Sequence, residues 1–333
     1  MYSAKKTERI GEEGCLSQVR FSHLYKTVKF ACEQFNYPVD ASCNILSISR
    51  SAYYKWLSGV QSKRVKKNQE IAELVKKIHN KYPEKGYRRI NDDLIRRYGV
   101  ETNDKRILRI CRILGIKSSI KHKNNGCTVS AKNPQHISEN ILQRKFTAEA
   151  PDEKWLTDVS EFHYYIGIEK HKLYLSAILD LYDRRIVAYV ISDHNDNELV
   201  FKTFKQAVAL NPNAHPLFHS DRGYQYTSGK FKELLDAAGM EQSMSRVGKC
   251  IDNGPMEGFW GILKRERYYG RKFTSREALV EMITDYITYF NTERYQRKLG
   301  RKTPMEKHIM YMPHLPLLMA PNHVQRINDK LLV

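Results

Sequence analysis

The chain has 333 residues, is 41% hydrophobic and 28% charged, and carries a formal net charge of +19. That composition excludes a disordered or fibrous chain and leaves room for two or three domains. The charge is unevenly placed: residues 1–150 hold 30 Lys and Arg against 14 Asp and Glu, while residues 151–333 hold 26 against 23. A basic front joined to a near-neutral back suggests a polyanion-binding region attached to a body of another kind.

Residues 1–20 are polar and without periodicity, and read as a loose extension. From Phe21 apolar residues recur with helical spacing until Pro38 breaks the pattern. In "VDASCNILSISRSAYYKWLSG" a short helix ends near Leu46, a turn follows, and a basic aromatic helix starts behind Ser49 as its cap. Arg50 and Lys55 lie on that second helix. The same pattern returns in "GYRRINDDLIRRYGVETNDKRILRICRILG", two helices around a turn at 99–103. Its second helix has an inner stripe of Ile107, Ile110, Cys111 and Leu114. Lys105, Arg109 and Arg112 fall in one outer row, with Arg106 beside them, a spacing suited to phosphates or to base edges in a major groove. Residues 21–115 therefore read as two helix-turn-helix units in tandem, with the basic "KRVKK" between them.

Residues 116–150 are rich in Lys, Asn and Ser, and read as a basic linker ending near Pro151. After it the period changes to that of strands: "KWLTDVSEFHYY", "KLYLSAILDLY" and "RIVAYVIS" follow one another with short polar turns. A helix over 196–209, a short strand in "PLFHSD", a helix over 228–239 and a strand in "MEQSMS" come next, and an amphipathic helix runs from Glu277 to Phe290. Together they predict an α/β body with a mixed sheet behind an all-α front. The six cysteines form no CxxC pair and the twelve histidines no zinc-type cluster, so free thiols in a reducing cytosol are expected. No signal peptide and no membrane-length apolar stretch is read.

Three carboxylates draw attention. Asp158 lies inside the first strand and Asp221 ends a later one, where a charge needs a partner or an ion. Each also has an ordinary reading, as an edge residue and as a turn former. Glu257 opens a helix behind "GKCIDNGP"; with Gly254 as cap and Pro255 in the first position, the helix dipole alone accounts for an acid there. The same dipole keeps that carboxylate ionised, and Lys264 follows seven residues later on the same rim. Asn253 reads as a helix-start residue or a DNA contact, and Gln225 and Tyr224 as candidates to touch a DNA end. Trp260 reads as core and His219 as a packed strand residue.

Thirty-five residues separate Asp221 from Glu257. This Asp, Asp, 35 residues, Glu pattern, with Lys seven after the Glu, resembles the DDE transposases and retroviral integrases. It is most similar to the second-frame (OrfB-type) transposases of the insertion sequence 3 family, through "KWLTDVSEF", "LYLSAILDLY", "FHSDRGYQY", "SMSRVGKCIDNGPMEGFWGILKRE" and "YFNTERYQRKLGRKTP". "SRSAYYKWL", "KGYRRINDDLIRRYG" and "ENILQRKFTAEAP" fit the leading region, so the resemblance runs from about residue 25 to 310.

The resemblance implies a ribonuclease H-like catalytic core at 151–270 and a helical extension at 271–333. It makes Asp158, Asp221 and Glu257 the ligands of Mg²⁺, with Mn²⁺ as substitute and two ions expected, and makes Lys264 a contact to the element's terminal DNA. It implies cleavage at element ends and strand transfer into target DNA by a homo-oligomer in the bacterial cytoplasm, at the nucleoid. An upstream-frame (OrfA-type) protein or fusion is expected to take part. Two other classes compete: a non-catalytic helix-turn-helix regulator, and a ribonuclease H-fold nuclease that hydrolyses without joining. Gly258, directly after Glu257, and Phe290, where the family has Tyr before Asn291, depart from the pattern.

Overall fold

The computed structural model describes residues 21–59, 63–120, 136–246 and 250–311. The expected extension at 1–20, the linker residues 121–135 and residues 312–333 lie outside that set. The chain divides into two compact units, Met1–Ser119 and Ile120–Val333.

The first unit holds helices α1 (Ser22–Phe35), α2 (Val39–Ile45), α3 (Arg50–Leu57), α4 (Lys63–Lys81), α5 (Tyr87–Tyr98) and α6 (Asp104–Leu114). Helices α1 to α3 bury Tyr25, Val28, Cys43 and Tyr53, with Trp56 packed against them. Helices α4 to α6 share a second core around Ile71, Val75, Ile90, Leu94, Ile107 and Ile110. The predicted inner stripe of α6 is buried throughout. Asn103 caps α6 by accepting from the Arg106 amide at 2.8 Å. Ser49 does precede α3, but its hydroxyl pairs with that of Ser51 at 2.7 Å and makes no capping bond. Helix α4, with 19 residues, goes unread in the sequence because its first turns are almost all Lys, Arg, Asn and Gln.

In the second unit β1 (Lys154–Ile166), β2 (Glu169–Asp180) and β3 (Ile186–Ser192) form an antiparallel meander. β4 (Leu217–Ser220) lies parallel to β1, and β5 (Gln242–Met244) parallel to β4. The sheet order is β3-β2-β1-β4-β5, a mixed five-stranded sheet of the ribonuclease H-like type. Helices α7 (Asn197–Leu210) and α8 (Gly229–Ala237) make the crossovers that parallel strands require. Asp196 and Ser228 cap them through the amides of Leu199 and Phe231.

Alternation along β1 sends successive side chains to opposite faces. Trp155 joins Val200, Phe204, Phe218, Phe231 and Met244 in the core beneath α7 and α8. Residues 156, 158, 160 and 162 share the opposite face, on which α9 (Gly254–Leu263), its π-helical continuation Lys264–Tyr268 and α10 (Arg276–Thr292) lie. Phe259 of α9 meets Phe290 of α10 edge-on at 4.9 Å. The Asn291 amide exchanges two hydrogen bonds with the Ile186 backbone, 2.9 and 3.0 Å, which ties the end of α10 to β3. α11 (Pro304–Tyr311) follows.

The described end of the expected linker, residues 136–150, is also part of this unit. Residues 136–146 run as a strap along β5: His136 donates to the Thr227 carbonyl, Glu139 accepts from the Met244 amide, and Leu142 is buried.

Candidate active site

The parallel register of β1 and β4 pairs Lys154 with Leu217, Trp155 with Phe218 and Leu156 with His219. Continued by two residues, it brings Asp158 level with Asp221. Neighbouring strands are about 4.8 Å apart and level residues share a face. Backbone pairing alone thus sets the two carboxylates side by side.

Both are costly where they stand. Burial and then the charge of Asp221 push the Asp158 carboxyl well above the ordinary range; Glu257 adds a smaller push. Hydrogen bonds from the Val159 amide (2.8 Å, to Oδ1) and the Trp260 indole (3.0 Å, to Oδ2) act the other way. Burial raises Asp221 too, against a bond from the Gly223 amide at 2.9 Å. Gly223 turns the chain so closely there that a Cβ would stand 3.0 Å from Asp221 Oδ1 and 3.1 Å from Gln225 Oε1.

Glu257 is exposed in the first turn of α9. That helix begins at Gly254, one position earlier than expected, and Asn253 precedes it without a side-chain capping bond. Asn253 is instead buried, with its Nδ2 donating to the Thr157 carbonyl at 3.0 Å, which pins the helix start to β1 next to Asp158. Its Oδ1 is buried and finds no hydrogen-bond partner. Five residues before Glu257, the buried Asp252 accepts from Asn140, Arg144 and Arg246. The strap, the chain after β5 and the turn into α9 are knotted together there.

Lys264 continues the helix, donates to the Glu161 carbonyl at 2.9 Å and lies 4.8 Å above the Phe162 ring. Burial lowers its ammonium, with Asp158 and Glu161 opposing. Gln225 is buried and donates to Asn195 Oδ1 at 2.6 Å, while the exposed Tyr224 bonds the Asn195 carbonyl. His219 is sealed between Ser243 and Ser245, and burial pushes it down to about 4, a neutral strand residue.

The donor set is all oxygen and anionic, as a hard dication requires. Among the described residues no three His, Cys, Asp or Glu side chains form a closed cradle. Asp158 and Asp221 pair on the sheet, and the third carboxylate stands on a solvent-facing helix start. A cation relieves the repulsion within the pair, and the orphaned Asn253 Oδ1 beside it suits a polar occupant. The residues present fit the ion that the sequence implies.

Apart from Lys264, Asn253 and Gln225, the expected DNA contacts lie in the first unit. Lys105, Arg106 and Arg109 line one groove of about 730 Å³ with Asn103 and, from α4, Lys63, Arg64 and Lys67. Arg106 is held there by Asn68, whose Oδ1 accepts from Nε at 2.9 Å and Nη2 at 2.7 Å. Arg112 and Lys55 are exposed, and Arg50 pairs with Asp40 at 3.1 Å. The α4 cations went unassigned in the sequence, as did the link of Trp260 to Asp158. Only the "KRVKK" run hinted at the former, and nothing local signalled the latter.

Comparison with known proteins finds matches to both units. A family model described as integrase core domain matches residues 148–250, a second integrase core domain model matches 257–310, and an HTH-like domain model matches 66–124. The chain is 36% identical over 285 residues to the transposase assigned to insertion sequence IS150 of Escherichia coli, covering 84% of this chain and 96% of that one. It is 28% identical over 261 residues to the transposase of insertion sequence IS3A of the same organism, covering 76% and 88%. A structure of the HTLV-2 integrase catalytic core domain is 18% identical, spans 48% of this chain and 98% of its own, and superposes with a TM-score of 0.37, too partial to carry an argument. No described helix is long and apolar enough to cross a membrane. From the tandem helical front to the α9 segment and beyond, the chain belongs to the insertion sequence 3 family of transposases, whose catalytic core is of the retroviral integrase type.

Proposed function

We propose that this transposase cuts DNA at the ends of its insertion sequence to expose a 3′-hydroxyl, then joins that hydroxyl to a phosphodiester of target DNA. The observation that carries the reading is the level, mutually repelling Asp158–Asp221 pair, tied through Trp260 to the helix that bears Glu257. Asp158, Asp221 and Glu257 would hold Mg²⁺, with Mn²⁺ as a substitute. Two such ions supply activation of the attacking oxygen and charge stabilisation of the leaving 3′-oxygen in an in-line displacement.

The chain's own residues do the rest. Asp158 and Asp221, both raised by burial, would hold the ion, whose charge would favour their ionised forms. Asn253 and Asp252 hold the start of α9 in place. Lys264, anchored on Glu161, sets positive charge beside the carboxylates where a DNA phosphate approaches. No covalent protein nucleophile is required. In the first unit the groove between α4 and α6 receives the phosphate backbone of element DNA, with Lys63, Arg64, Lys67, Lys105 and Arg109 around it. Arg106 holds the two helices at the spacing that forms the groove. The active form is a homo-oligomer on two element ends, joined by an upstream-frame protein or fusion.

The test is a strand-transfer assay with supercoiled plasmid carrying the element ends, Mg²⁺ or Mn²⁺, and Asp221→Asn as control. Metal-dependent joined products that vanish in the variant support the reading. Nicking without joining makes the protein a nuclease of the same fold. DNA binding without chemistry, with the upstream frame supplied, makes it a regulator.

A further inference from the structure

We propose that Trp260 is a positioning residue of the catalytic centre, its indole N–H holding the Asp158 carboxylate in the orientation that receives the ion. The inference rests on Asp158 being an ion ligand.

Trp260 is buried, and its Nε1 donates to Asp158 Oδ2 at 3.0 Å across 102 residues of sequence. Among the described residues, the other oxygen, Oδ1, accepts from the amide of the next residue, Val159, and the indole is the hydrogen-bond donor that reaches Asp158 from another element. A carboxylate with a fixed donor on one oxygen keeps its plane and directs its remaining lone pairs to one place. Losing a partner of this kind typically costs a metal site about 10–100-fold in affinity.

The helix gives the bond a second consequence. Trp260 follows Glu257 by three residues, so the two side chains lie on adjoining faces of α9, one turn apart. The bond to Asp158 thus fixes the rotation and the height of α9 on the sheet, and with them the place from which Glu257 extends. Phe259, packed on Phe290 at 4.9 Å and on Trp260 at 5.0 Å, backs the indole. A tryptophan chosen for bulk alone needs any acceptor for its N–H. Here the acceptor is the carboxylate of the first strand.

The experiment measures Mn²⁺ binding to the full chain, without DNA, by electron paramagnetic resonance. It compares the natural protein with Trp260→Phe, which keeps a buried ring and loses the donor, and with Asp158→Asn. Trp260→Phe is expected to weaken Mn²⁺ binding about tenfold or more, with its metal-free melting temperature close to that of the natural protein. Unchanged affinity in Trp260→Phe, with Asp158→Asn defective, overturns the inference and leaves the proposed function standing. Full affinity in Asp158→Asn sinks the ligand assignment itself. Should Trp260→Phe fold poorly, the assigned indole N–H resonances of the natural protein decide. That of Trp260 is expected to move on adding Mg²⁺, while Trp155, bonded to Asp152, stays in place. A Trp260 resonance indifferent to Mg²⁺ overturns the inference equally.

Discussion

Replacing Asp252 by alanine removes a carboxylate that is fully buried and accepts five hydrogen bonds. One comes from Asn140 at 2.9 Å, one from Arg144 at 2.6 Å, and three from the Arg246 amide and guanidinium at 3.1, 2.8 and 2.9 Å. Deleting one partner of a buried ion pair costs about 3–5 kcal/mol when the other charge is stranded. The arginine side chains are 52% and 41% exposed, so both regain water and the cost falls to about 3 kcal/mol. For a unit of this size that lowers the melting temperature by roughly 6–12 °C. Circular dichroism melts over a pH series provide the assay. Arg246, and then Arg144, hold the folded carboxyl well below the ordinary range. Its contribution is therefore complete above about pH 5 and is lost progressively as pH falls from the unfolded value of about 3.9 towards the depressed folded one. The natural protein and Asp252→Ala are expected to differ by a constant amount from pH 5 to 8 and to converge below pH 4. A difference under 2 °C at pH 7, or one that persists undiminished at pH 3, refutes the view that this carboxylate knots the strap to the turn before α9.

Asp158→Asn and Asp221→Asn each raise the metal-free melting temperature at pH 8, by about 0.5–2 kcal/mol of stability. Their carboxyls are raised on folding, so ionisation opposes the folded state as pH climbs above the unfolded value, and the gain vanishes near pH 4. Melts across that range check it, and an unchanged melting temperature at pH 8 contradicts it. Gly258→Ala stabilises α9 by about 0.5–1 kcal/mol, because a Cβ at that position meets nothing within 4 Å; urea unfolding measures it. In filter binding to element DNA, Lys63→Ala and Lys67→Ala each reduce the slope of log affinity against log salt by about 1, and an unaltered slope removes those residues from the phosphate groove.

What the sequence displays and what it hides follow from one distinction. Strand β1 and Asp158 are legible because alternation is local, and α6 because its apolar residues recur every three or four positions. The level pairing of Asp158 with Asp221 is not: it depends on β1 and β4 aligning over three residue pairs, which no pattern within either strand dictates. Asn253 and Ser49 both have the composition of capping residues, yet the first turns to β1 and the second to Ser51. Tertiary partners outbid local ones in the first case, and a neighbouring hydroxyl does in the second. The strap at 136–146 looks like linker by composition, since polar side chains such as Asn140 and Arg144 read as solvated until their distant partner, Asp252, is in place. Trp260 is legible as core but not as a partner of Asp158, because its apolar ring sets the helical stripe and its single N–H leaves no periodic trace.

The division of labour among the three carboxylates has a physical reason. Three buried anions fixed side by side on one sheet would oppose folding whenever the ion is absent. This chain half-buries two, whose repulsion is moderated by the donors Val159, Trp260 and Gly223. It keeps the third, Glu257, exposed in the first turn of a helix, a position whose dipole favours an acid by about 0.3–1 kcal/mol. On the proposed function, such an arrangement would fold without its ion and complete its ligand set when the ion arrives. It works only if the exposed carboxylate is held at the right place by something other than the ion. The chain meets that requirement three times over, through Asn253 on the Thr157 carbonyl, Asp252 in its arginine knot and Trp260 on Asp158. Loosening any one of them should cost affinity for the ion before it costs the fold of the sheet.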